Sequence, residues 1–171
     1  MMSIHKTFII TALALCVLLG CGQRKRPDGL PVLYPCEITI TQGGLPLAGA
    51  VVRLAPEEGT LAWPIVGKTN ADGVAVIETH VDFPGAPEGT FKVLVSKTEL
   101  TPSKYTPPAE NASVEEWNKY SDLSSAENRW TIMRVKPEYN DVGKTSHSIT
   151  IIKGKNQQTF DVGDPVEIRL D

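Results

Sequence analysis

Nucleophilic and acid–base chemistry needs a thiol, hydroxyl or imidazole held beside a partner, and this chain carries three cysteines and three histidines with which to attempt it. His80 and His147 stand far apart, and neither has a second histidine or a cysteine close by in the sequence. No Gly-x-Ser-x-Gly elbow occurs. Glu57-Glu58 and Glu115-Glu116 are adjacent carboxylates, but neighbours on a strand or helix point apart, whereas an acid–base pair must converge across a cleft. Asn70-Ala71-Asp72-Gly73 offers oxygens but lacks the alternating ligands and distant Glu of a calcium loop, and its residue types suit a turn. Metal-ligand clusters and phosphate-cradling glycine loops are missing. The chain therefore reads as a non-enzyme, with no catalytic residue, metal or cofactor expected.

Each cysteine has its own reading. Cys16 lies in an unbroken apolar run, residues 7–19, that follows His5 and Lys6. Such a run is too short to span a bilayer but fits the core of a signal peptide. Leu18-Leu19-Gly20-Cys21 closes it and resembles the lipobox, where a peptidase cuts before a cysteine whose thiol has received a diacylglycerol. Residues 1–20 are expected to leave, making Cys21 the lipidation site and a membrane the first partner. Two or three acyl chains would hold the protein stably. Gly22, in place of an aspartate, points to the outer membrane of a cell envelope. Cys36 is then a lone thiol, and an exported chain with one thiol has no disulfide framework.

The elements that would carry these residues are strands. Cys36, Ile38 and Ile40 alternate with Glu37, Thr39 and Thr41, which places the Cys36 thiol inward as a small core hydrophobe. Residues 47–55 put Ala50, Val52 and Leu54 on one face, and residues 90–97 do the same with Phe91, Val93 and Val95. Residues 65–69 and 74–79 flank Asn70–Gly73 as a hairpin. Residues 146–152 and 157–162 flank Lys153-Gly154-Lys155-Asn156 as another, and residues 166–170 add a last short strand. His147 alternates with Ile149 and Ile151 toward the buried face, whereas His80 reads as an exposed loop residue. Residues 98–145 break the rhythm. There Ser113-Val114-Glu115-Glu116 forms a capping box, and Val114, Trp117 and Tyr120 follow at three-residue spacing on a face expected to dock on the sheet. A second Ser-x-x-Glu, Ser124 to Glu127, precedes Trp130. The expected fold is an all-β sandwich of about seven or eight strands with a short helical excursion over 98–145. A polar, proline-bearing tether over 21–35 precedes the sandwich over 36–171.

Pro46-Leu47-Ala48-Gly49-Ala50-Val51-Val52, followed by Thr69-Asn70-Ala71-Asp72-Gly73-Val74-Ala75 and Gly89-Thr90-Phe91-Lys92-Val93-Leu94-Val95, resembles the core of carboxypeptidase regulatory-like domains. These are transthyretin-like (prealbumin-type) sandwiches, and the likeness covers about 60 residues, from Cys36 to Val95. Lys136-Pro137-Glu138-Tyr139 through Gly154-Lys155-Asn156 is similar to the end of small planctomycete-type lipoproteins that carry this domain. The resemblance implies a fold, an anchor and a surface role rather than an activity. Related hydroxyisourate hydrolases end in a Tyr-Arg-Gly-Ser type tail, where this chain ends Glu167-Ile168-Arg169-Leu170-Asp171, so a hydrolase of this fold is a remote alternative. The two-Tyr, two-His iron site of the similar intradiol dioxygenases would have to be assembled from His80, His147 and scattered tyrosines.

Two functions of different class remain. A net charge of −3 argues against a nucleic-acid partner, and the basic cluster Arg24-Lys25-Arg26 follows the anchor. The first function is a non-catalytic structural or protein-interaction module of the envelope. The second is a glycan or small-ligand binding module. Its support is the aromatic content of the excursion together with two candidate ligand-binding residues, Trp63 beside Pro64, and Trp130.

Overall fold

The structure, a computed structural model, describes residues 25–60, 62–80 and 82–170. The expected signal peptide and Cys21 lie outside the described residues. Residues 25–30 belong to one compact unit and Pro31–Asp171 to the other. In the second, the strands are β1 (Leu33–Tyr34), β2 (Cys36–Gln42), β3 (Leu45–Pro46), β4 (Val51–Pro56) and β5 (Ile65–Lys68). Next come β6 (Val74–Val76), β7 (Glu78–Thr79), β8 (Phe83–Pro84), β9 (Ala86–Pro87), β10 (Gly89–Ser96) and β11 (Thr98–Leu100). Helix α1 (Val114–Ser125) precedes β12 (Thr131–Met133), a 3-10 turn at Pro137–Asn140, β13 (Ser148–Ile151), β14 (Asn156–Asp161) and β15 (Ile168–Leu170).

Two sheets enclose one core, as an all-β sandwich requires. The larger has the order β13-β10-β4-β5-β7-β8, and the smaller the order β14-β2-β3, with β6 also paired to β2. Alternation decides what goes inside: Ile38 and Ile40 of β2, Val52 of β4, Val93 and Val95 of β10 and Ile151 of β13 are fully buried. Each such side chain contributes about 1.5–3 kcal/mol. Cys36 is buried among them, as its alternation predicts. The strands are shorter and more numerous than the expected seven or eight. The last residues of the expected tether also belong to the folded unit, for β1 pairs with β9 and Tyr34 packs against the core.

The first expected hairpin forms only at its open end, and the second is instead a crossing between sheets. Residues 74–79 split at the buried Ile77: β6 pairs with β2 in the smaller sheet, and β7 pairs with β5 in the larger. The turn before β6 is built by Asn70, not Asp72, since the Asn70 Oδ1 accepts from the Asp72 and Val74 N–H groups at 3.0 and 2.9 Å. Gly73 sits at φ 74°, where a Cβ would lie 2.5 Å from the Ile40 carbonyl oxygen. Gly67 is needed for closeness rather than φ, because a Cβ there would stand 2.8 Å from the Val76 carbonyl oxygen.

At the second crossing β13 pairs antiparallel with β10, while β14 pairs parallel with β2. The buried Asn156 carboxamide holds the turn. Its Oδ1 accepts from the Ile152 N–H at 3.0 Å, and its Nδ2 donates to the Ile152 and Gly154 carbonyls at 2.9 and 3.0 Å.

The excursion closes on itself. It is shorter than the expected 98–145: β11 and β12 pair antiparallel at its base, and β15 adds to β12 to complete a three-stranded sheet. Beyond β12, Val135 is buried in the core with Tyr139 packed against it. The capping box forms as the sequence predicts, with the Ser113 Oγ accepting from the Glu116 N–H and the Glu116 carboxylate accepting from the Ser113 N–H. The expected docking of the helix does not occur, for α1 has no buried residue. Nor does Glu127 cap a second helix. Its carboxylate accepts from the Ser103 hydroxyl at 2.6 Å and the Lys104 N–H at 2.9 Å, fastening the excursion near its base.

Candidate functional site

Three places gather the aromatic and titratable side chains that could meet a partner. The first surrounds Trp63. Leu54 and Ile65, both buried in the core, floor an open groove of about 560 Å³. Pro56, Trp63 and Pro64 wall it, together with Val142, which is 49 % exposed. Trp63 is half-buried and meets the His80 ring edge to face, with centroids 4.8 Å apart. His80 is not the exposed loop residue expected. It is half-buried, its Nδ1 is enclosed without a partner, and its N–H donates to the Pro64 carbonyl at 2.8 Å. Its φ of 55° is the left-handed conformation, unusual outside glycine and a cost of about 1 kcal/mol, so packing must hold it there.

The second place is the excursion. Val114 is 76 % exposed, and Trp117 and Leu123 are also exposed. Trp117 meets Tyr120 edge to face at 6.0 Å. Tyr120 and Leu123, with Tyr105 and Pro108, line a groove of about 320 Å³ between α1 and the segment before it. The apolar residues of α1 thus face its own excursion and solvent. Trp130 lies at the base of the excursion, and the Arg169 guanidinium of β15 rests over its ring. Trp63 and Trp130 lie on different sheets, leading into β5 and β12 respectively.

The third place surrounds His147, which the sequence puts on a buried face and, with His80 and the tyrosines, offers for a remote iron site. The His147 ring is stacked between Tyr139 at 5.1 Å and Phe160 at 4.8 Å, with its Nδ1 enclosed and unpartnered. Burial pushes this imidazole below its ordinary range, opposed by the Asp161 carboxylate and a hydrogen bond to the Asp161 backbone. Asp161 in turn is held below the usual carboxylate range by the Thr41 hydroxyl at 2.7 Å and the Gly44 N–H at 2.9 Å. It fastens the β2–β3 hairpin to β14.

Around Arg134 an exposed ion network joins β11, β12 and the segment before β15. Arg134 reaches Glu99 at 3.0 Å and Glu167 at 2.8 Å, and Lys97 also reaches Glu99 at 3.0 Å. Its partners hold Glu99 below the usual range. Exposed pairs of this kind contribute little stability. Among the described residues no three His, Cys, Asp or Glu side chains converge as metal ligands, and no helix is long and apolar enough to cross a membrane. The arrangement offers apolar grooves and clamped aromatics. No family model, curated protein or solved structure matches the chain.

Proposed function

We propose that this protein is a lipid-tethered, non-catalytic β-sandwich of the cell envelope that engages another protein through its excursion. The observation that carries this is α1: a capped, twelve-residue helix with no buried residue, whose Val114, Trp117 and Leu123 are exposed. A surface helix ordinarily lays its apolar side on the core. A helix whose apolar residues are left uncovered on a clamped excursion has the form of an element that docks in trans. The tether rests on Leu18-Leu19-Gly20-Cys21 and the apolar run before it. A transthyretin-like identity of the sandwich rests on the turn-and-strand motifs of residues 46–52, 69–75 and 89–95.

The second reading, a glycan-binding module, draws on Trp63 in its groove. It draws less on Trp130, whose ring carries the Arg169 guanidinium where a sugar would stack. The test is photo-crosslinking in intact cells with a probe at Trp117 and another at Trp63. A discrete protein adduct at Trp117, lost on Leu123→Asp, is the expected result. Adducts to polysaccharide alone, at Trp63, would replace this reading with the glycan one. Metabolic labelling with a fatty acid tests the anchor separately: Cys21→Ala must abolish it.

A further inference from the structure

We propose that the Trp63 groove and the carboxylates beside it form a docking site for an extended, basic segment of another protein. An aliphatic side chain would enter the groove, and lysine or arginine side chains would lie against Glu58 and Glu88. Pro56 is common to the apolar groove and to a second hollow of about 440 Å³, whose lining includes Glu57, Glu58 and Glu88. Glu57 already has a cation, Lys92, at 3.3 Å. Glu58 and Glu88 are exposed and form no ion pair among the described residues, so one end of the groove carries uncompensated negative charge. An apolar slot beside unmatched carboxylates selects a ligand with the opposite pattern, since charge complementarity fixes both partner and register.

The geometry favours an extended peptide over a sugar. The groove lining is mainly aliphatic, proline and one tryptophan, Thr60 is the one polar side chain among its described lining residues, and the charge stands at one end. The walls are also preorganised. Prolines stand at both sides, and the Trp63 ring is braced by His80, whose own backbone is bonded to Pro64. A preformed groove loses little freedom when an extended segment enters it. This surface shares no lining residue with the α1 groove, so the inference stands apart from the role proposed for the helix.

The test uses the full chain in nonionic detergent and fluorescence anisotropy of short labelled peptides, with protein-free micelles as the blank. A peptide of alternating Val and Lys should bind, while Val–Glu and Ser–Lys peptides should not. The Glu58→Lys/Glu88→Lys double variant should weaken binding about tenfold at low salt, and the difference should shrink as salt rises. Val142→Asn, a neutral change at an exposed position, should weaken it at all salt concentrations. Trp117→Asp on α1 should leave it unchanged, which separates this site from the helix. Equal binding of the Ser–Lys peptide, indifference to both groove variants, or no binding at all would overturn the proposal. Displacement of the peptide by a neutral maltooligosaccharide would overturn it in favour of a sugar site.

Discussion

The Asn156 side chain takes both backbone groups of Ile152, accepting from its N–H and donating to its carbonyl, at the point where the chain leaves the larger sheet for the smaller. Asn156→Ala leaves those groups without their partner in a confined turn. It should lower unfolding stability by about 2 kcal/mol, read as a shift of the urea midpoint at constant m-value. Asn156→Asp keeps the acceptor but loses the donor, and should cost at least as much.

His147 should make stability depend on pH. Its ring ionises less readily folded than unfolded, because protonation would place charge between two aromatic rings and add an enclosed N–H with no acceptor. A depressed folded value means that the contribution is fully present above the unfolded value, about 6.5, and is lost as pH falls toward and through the folded one. Chemical denaturation across that window should show stability falling with acid. His147→Phe, which keeps the stack, should flatten that part of the curve, and an unchanged curve would remove His147 from the account.

The helical part of the excursion, residues 103–127, should be dispensable for folding. Replacing residues 103–127 by a short glycine–serine turn keeps the β11–β12 pairing and removes a helix with no buried residue. Shortening that loop changes stability by only about 1 kcal/mol, so the melting temperature should move by a few degrees at most. Partner adducts at the excursion should vanish at the same time. Loss of the cooperative transition would show that the helix supports the core after all.

Cys36 should be chemically quiet. Burial, with a smaller contribution from the Glu37 charge, pushes its thiol up to about 11. At about pH 8 the thiolate fraction is then roughly a hundredfold below that of an unfolded cysteine. Iodoacetamide labelling at Cys36, followed by peptide mass spectrometry, should be slow in buffer and rapid in concentrated urea. Comparable rates would contradict the burial of this thiol.

The sequence was most legible where period-two alternation meets a buried face. Ala50, Val52 and Leu54, and likewise Phe91, Val93 and Val95, are buried as their spacing predicts, and the capping box starts α1 where Ser113 places it. Partner choice was less legible, because a turn returning to its own sheet and one crossing to the other use the same residue types. Asn70–Gly73 and Lys153–Asn156 both read as hairpins, yet the strand directly after each, β6 and β14, pairs in the other sheet, and only β7 returns to pair with β5. The helix face misled for a geometric reason: three-residue spacing falls about 60° short of a full turn at each step, so Val114, Trp117, Tyr120 and Leu123 spiral around the helix. The groove at Trp63 was visible only as one tryptophan beside a proline. Its floor comes from distant Leu54 and its rim from Val142, which no local pattern connects.

The parallel pairing of β2 with β14 has a mechanical consequence. Six residue pairs, Cys36 with Asn156 through Thr41 with Asp161, join a strand near the start of the domain to one near its end. A pull between Pro35 and Val162 runs along both strands in opposite directions. It therefore loads that ladder in shear, all its hydrogen bonds together, instead of peeling them open one at a time. Held at Pro35 and pulled from beyond β14, the domain would resist extension through this seam.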